Sequence, residues 1–186
     1  MSEEKTKIEN AWEIILDELG ENPQREGLKE TPKRIARMYK EIFRGYDSKQ
    51  KPKITIFDNG VDGIEYDQLI TDRGKYFSHC EHHGVPFFGE YVFGYVPDKK
   101  IIGLSKVARI VDFYSAKFQI QERLVKEIAD EIERVAQPKG MGIYMKGTHL
   151  CKVMRGVKKD GVMTTCDLRG TFRGESKDEF LQEAKR

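Results

Sequence analysis

Residues 117–145 read KFQIQERLVKEIADEIERVAQPKGMGIYM, and the change of period inside this stretch decides the fold class. Leu124, Val125, Ile128, Ala129, Ile132 and Val135 recur at three- and four-residue spacing, which predicts a helix from about Lys117 to Ala136 with one buried stripe. Pro138 and Gly140 stop it. Met141 to Met145 then reads as a short strand, so helix and strand follow each other within a few residues.

Working outward toward the N-terminus, Ser105 can cap a helix that carries Val107, Ala108, Val111 and Tyr114 inward. Before it, Phe87 to Val96 reads as a longer strand ending at the turn-prone Pro97-Asp98, and Lys53 to Phe57 as a shorter one. Near the start, Ile8, Ala11, Trp12, Ile15, Leu16 and Leu19 form an amphipathic stripe closed by Gly20. Thr31 is expected as the N-cap and Pro32 as the first residue of a second helix, with Ile35, Met38, Tyr39, Ile42 and Phe43 on one side, ending near Gly45. Toward the C-terminus, Leu150 to Met154 and Thr171 to Arg173 are expected as strands, and Ser176 with Glu179 as the capping box of a last helix. The order of helices, strands, two helices, strands and helix predicts an α+β class, with a mainly antiparallel sheet backed by helices on one side.

Composition narrows the function. A hydrophobic fraction of 38% supports a packed core, and a formal net charge of +2 is far more balanced than that of a general nucleic-acid binder. No apolar run approaches the roughly 18 residues of a membrane span, so neither nucleic acid nor membrane is expected as a partner. The polar start Met-Ser-Glu-Glu-Lys and three cysteines, too few for a disulfide framework, lead to the expectation of reduced thiols in the cytoplasm.

Those thiols fall beside histidines. Residues 79–83 are His-Cys-Glu-His-His, and Thr148-His149-Leu150-Cys151 comes much later, so two of three cysteines and all four histidines lie in two short clusters. Cys80 and His83, three apart, can reach one metal from a single turn, and Cys151 can complete a three-ligand set that leaves one position open for water. His82 and His149 neighbour ligands without being needed as ligands, so both are placed to move protons. Cys166 lacks a histidine nearby and is expected as an ordinary buried thiol. Lys106, Arg109, Arg155 and Arg34 are the cations that suit a triphosphate. Glu122 opens a helix, where its carboxylate is either an ordinary helix-start acid or an acceptor for the N1–H and exocyclic amine of guanine.

At this level the sequence resembles the GTP cyclohydrolase I family of the zinc-dependent type. The matching pieces are residues 30–39 (ETPKRIARMY), 80–83 (CEHH), 102–106 (IGLSK), 109–111 (RIV), 119–124 (QIQERL), His149 to Cys151, and Arg155-Gly156, in one order from about residue 10 to the C-terminus. Lys117-Phe118 stands where Arg-Leu is common, and Cys166 where Ser is usual. The resemblance implies zinc on Cys80, His83 and Cys151, acid–base roles for His82 and His149, guanine recognition by Glu122 and Gln121, Ser105 near the ribose, and triphosphate binding by Lys106, Arg109, Arg155 and Arg34. It also implies an N-terminal helical extension over 1–50, a catalytic tunnelling-fold domain over 51–186, and a toroidal homodecamer whose active sites are shared, Arg34 reaching a neighbour. The implied reaction converts GTP to 7,8-dihydroneopterin triphosphate and formate. The rivals are a zinc nucleotide deaminase, because His79-Cys80-Glu81 fits H-x-E although no Pro-Cys-x-x-Cys follows, and a non-catalytic, metal-stabilised binding protein.

Overall fold

The computed structural model describes residues 5–174 and 176–186. The chain divides into two compact units, residues 1–44 and 45–186.

The first unit is a helix pair. Helix α1 (Lys7–Glu18) starts where the Thr6 hydroxyl accepts a hydrogen bond from the Glu9 N–H, and it buries Leu16. Helix α2 (Thr31–Ile42) has Pro32 in its first turn, but Thr31 already lies inside it; Glu30 holds the cap position and no side chain caps the end. Trp12 and Tyr39 join the helices edge to face, their ring centroids 6.4 Å apart.

The second unit is built on a five-stranded sheet in the order β5-β2-β3-β6-β7. Strands β2 (Ile70–Cys80), β3 (Pro86–Val96), β6 (Gly140–His149) and β7 (Val162–Gly170) are antiparallel, while the two-residue β5 (Phe118–Gln119) runs parallel to the end of β2. A separate ladder pairs β1 (Ile56–Asp58) with β4 (Lys100–Ile102). Helices α3 (Ser105–Ser115) and α4 (Gln121–Ala136) cover one face of the large sheet, where Ile110, Leu124, Ile128 and Ile132 meet Tyr76, Phe93, Ile143 and Met145. Each of these aliphatic side chains is withdrawn from water, worth about 1.5–3 kcal/mol apiece before entropy is charged. Two polar clasps fix α4. Arg169, only 8% exposed, bonds Asp167 on its own strand and Asp130 and Glu133 on α4, and the buried Glu131 takes Lys51, Arg134 and the Tyr114 hydroxyl. The short helix α6 (Lys177–Lys185) lays Phe180 against Gly94 and Gly142 at one end of the opposite face. This is the α+β layout expected, a mainly antiparallel sheet with its principal helices on one side. Among the described residues no helix is long and apolar enough to cross a membrane.

Several element boundaries differ from the sequence expectation. The stretch expected as a strand from Leu150 forms the single helical turn α5 (Leu150–Val153), and Thr171–Arg173 is a 3-10 turn; runs of five and three residues carry too little periodicity to separate the states. Helix α4 starts at Gln121 rather than Lys117, because Phe118 and Gln119 are drawn into the sheet beside His79 and Cys80. Strands β2 and β7 were not anticipated; each has one solvated face, which thins its apolar pattern.

Candidate active site

The site forms where β2 and β6 end at the same corner of the sheet. After Cys80 the chain turns tightly, the Cys80 carbonyl accepting from His83 N–H at 3.3 Å and from Gly84 N–H at 2.8 Å, with Gly84 at φ +69°. That turn folds both following histidines back onto the thiol: Cys80 Sγ lies 3.8 Å from Nδ1 of His82 and 3.8 Å from Nδ1 of His83. From the other strand, α5 carries Cys151 to the same point, so that one ligand atom each from Cys80, His83 and Cys151 lies within 4.8 Å of the other two. Donors held about 2.3 Å (sulfur) and about 2.0 Å (nitrogen) from a tetrahedral zinc stand roughly 3.5–3.8 Å apart, so the donor types suit that ion and the 3.8 Å between Cys80 and His83 matches its spacing. Burial, and next the adjacent Cys80 thiol, push the Cys151 thiol up from its ordinary value.

His149 ends β6 and is cross-strand partner of Phe87, whose ring lies parallel to the imidazole at a centroid distance of 4.5 Å. Burial lowers the His149 pKa, Glu122 opposes that with its negative charge, and Lys152 adds to it. His149 Nε2 stands 2.8 Å from Gln121 Oε1. His82, 64% exposed on its side chain, sits at the rim, with Nε2 4.0 Å from Glu81 Oε1.

Gln121, expected beside Glu122 at the guanine, is held among protein groups. It is wholly buried, its NH2 group faces the carbonyls of Met145 and Met163 and the Thr165 hydroxyl, and its oxygen faces Tyr76 and His149. Every polar atom of the Gln121 amide thus faces a protein group in this structure. Glu122 itself is exposed in the first turn of α4. Among the cations, Arg155 comes to the cluster, with Nη1 3.0 Å from His83 Nε2. Ser105, Lys106 and Arg109 stand on the first two turns of α3, and none of their side chains hydrogen-bonds to the cluster among the described residues. Arg34 belongs to α2 of the first unit. Cys166, expected buried, is exposed on β7. Sequence reasoning passed over Tyr76, Phe87 and the ion pair of Arg123 with Glu81, which ties the start of α4 to the histidine loop. The signal for Tyr76 was available in Gly147, the bare position that receives it.

Two thiols and an imidazole that could hold a metal ion, with two further histidines, are gathered at one corner of an α+β sheet beside a helix-start carboxylate, an arrangement that suits a hydrolase. The sequence pattern of GTP cyclohydrolase I matches residues 8–185, and the chain belongs to that family. It is 48% identical to GTP cyclohydrolase 1 of Caldanaerobacter subterraneus over 177 residues, covering 94% of this chain and 92% of the relative. It is 44% identical to that of Aquifex aeolicus over 190 aligned positions, covering 100% of this chain and 99% of the relative, and 42% identical to that of Sulfurihydrogenibium sp. over 182, covering 96% and 94%.

Proposed function

We propose that this protein hydrolyses GTP to 7,8-dihydroneopterin triphosphate and formate. The observation that carries the reading is the convergence of Cys80, His83 and Cys151 within 4.8 Å, beside His149 and Glu122, in a chain of this family. Cys80, His83 and Cys151 would hold zinc, a Lewis acid that makes water nucleophilic near neutral pH. Glu122 accepts from N1–H and the exocyclic amine of guanine, fixing C8 toward the metal-ligand set. His149 moves a proton to and from the imidazole ring of the base as it opens and loses formate. His82, with Ser105 near the ribose, serves the later sugar opening and the Amadori rearrangement that closes the pterin ring. Lys106, Arg109, Arg155 and, from a neighbouring subunit, Arg34 anchor the triphosphate, so the intermediate stays bound through every step. The assembly proposed is a homodecamer with shared sites; the stacked pair Phe77 and Phe88 on the open sheet face supports an oligomer. A reducing cytoplasm suits a centre built on free thiols.

The deaminase reading is weaker because Glu81, its required proton shuttle, is engaged by Arg123. One incubation of the zinc-loaded protein with GTP separates the readings. Formate with a fluorescent pterin supports this one, ammonia points to deamination, and the absence of all three products leaves only a binding protein.

A further inference from the structure

We infer that Gln121 is the positioning residue that fixes the tautomer and the orientation of His149; this rests on the acid–base reading of His149 given above. Gln121 Nε2 lies 3.2 Å from the carbonyl oxygen of Met145, 3.2 Å from that of Met163 and 3.0 Å from Thr165 Oγ1. Carbonyl oxygens only accept, so the NH2 end of the amide must face them and Oε1 must face away. There Oε1 accepts from the Tyr76 hydroxyl at 3.2 Å and meets His149 Nε2 at 2.8 Å. Because an amide oxygen only accepts, Nε2 carries the hydrogen, and the neutral ring keeps its lone pair on Nδ1. Burial pushes the Tyr76 phenol up from its ordinary value, which keeps it a donor.

The fold makes room for this meeting at a single bare position. A Cβ on Gly147 would lie 2.3 Å from Gln121 Oε1 and 2.5 Å from the Tyr76 hydroxyl oxygen. Phe87 sets the plane of the imidazole by lying parallel to it, and Gln121 sets its rotation within that plane. The Gln121 oxygen thus holds the Nε2–H edge of the ring in place.

Long-range proton–nitrogen NMR of the histidine-labelled, zinc-loaded protein, with a His149→Asn spectrum for assignment, tests this together with steady-state kinetics. Wild type should show His149 as the Nε2–H tautomer. Gln121→Met should show a mixture, with kcat lower by about 10–100-fold, KM for GTP within about twofold and zinc content unchanged. Gln121→Glu, as a neutral acid, keeps an acceptor for His149 and a donor for the strand carbonyls, so it should restore the tautomer and most of kcat. An Nδ1–H tautomer in wild type overturns the proposal, and so does a Gln121→Met enzyme whose KM rises at unchanged kcat. Should Gln121→Met not fold, the wild-type spectrum and the Gln121→Glu kinetics still decide. Failure of the enzymatic reading looks different: the Nε2–H signature would be present while GTP yields no formate.

Discussion

The two faces of the five-stranded sheet are made by the same strands and meet different surroundings. On one face Tyr76, Phe87, Phe93, Ile143 and Met145 are sealed under α3 and α4, and the last rungs of that layer carry Cys80 and His149. On the other, Phe77 is 68% exposed and Val162 60%, and only the far end is covered, by Phe180 of α6. The chemistry therefore grows out of the packed face. Its side chains are the continuation of a close-packed layer and inherit that layer's geometry, while the open face keeps its freedom to vary or to meet another surface.

The contrast can be broken first at the Cys80, His83 and Cys151 group that could hold a metal. Cys151→Ala should remove zinc, measured by elemental analysis, and lower formate release by about a thousandfold or more; a metal-free protein that still turns over GTP would end the zinc mechanism. Next comes the layer beneath, where Ile132→Ala should cost about 2–5 kcal/mol in urea denaturation. A loss below about 1 kcal/mol would mean that this layer is not the rigid support described. Glu122→Gln tests the mouth of the site. Wild type should prefer GTP over ITP by about ten- to a hundredfold, and the variant should narrow that ratio by damaging GTP more. An unchanged ratio with lower thermal stability would return Glu122 to a simple helix-start acid.

Acid should reveal the clasp on α4. Burial alone would raise the Glu131 carboxyl, but Arg134 and Lys51 outweigh it and the net shift is downward from 4.5. A lowered folded pKa means a stabilisation that is complete above the unfolded value and is lost as pH falls through the folded one. Denaturation midpoints measured from about pH 6 to about pH 3 should therefore decline, and Glu131→Gln should flatten the decline. The smallest effect on the chain's own stability belongs to the open face. Phe77→Ser should change unfolding free energy by no more than about 0.5 kcal/mol while weakening the oligomer in sedimentation. A large loss of stability at unchanged oligomeric state would show that this face is covered within the subunit.

What the sequence revealed follows the same division. Helix α4 and strand β3 were legible because long buried segments repeat their pattern many times: Leu124, Val125, Ile128, Ala129 and Ile132 all point into the core. Strand β2 was not, because Arg73, Lys75 and Phe77 face solvent and Gly74 leaves room for the ring of Tyr91, so neither composition nor alternation marks a strand. The convergence of Cys80, His83 and Cys151 was legible because cysteine and histidine are chemically conspicuous and two of the three lie within one turn. The use made of Gln121 was hidden, since a glutamine at a helix start gives no sign that its partners lie on three different strands.

His149 is opposite Phe87, and Gly147 is opposite Gly89, in the ladder between β3 and β6. Side chains alternate along a strand, so sliding β6 by a single residue would turn His149 to the uncovered side and put Thr148 in its place under the helices. A misaligned chain could keep most of its hydrogen bonds and still be inert. Correct alignment of this one strand pair thus acts as an all-or-none checkpoint on the site, and the bare position of Gly147, where a Cβ would fall 2.3 Å from Gln121 Oε1, leaves the misaligned form nowhere to place a side chain.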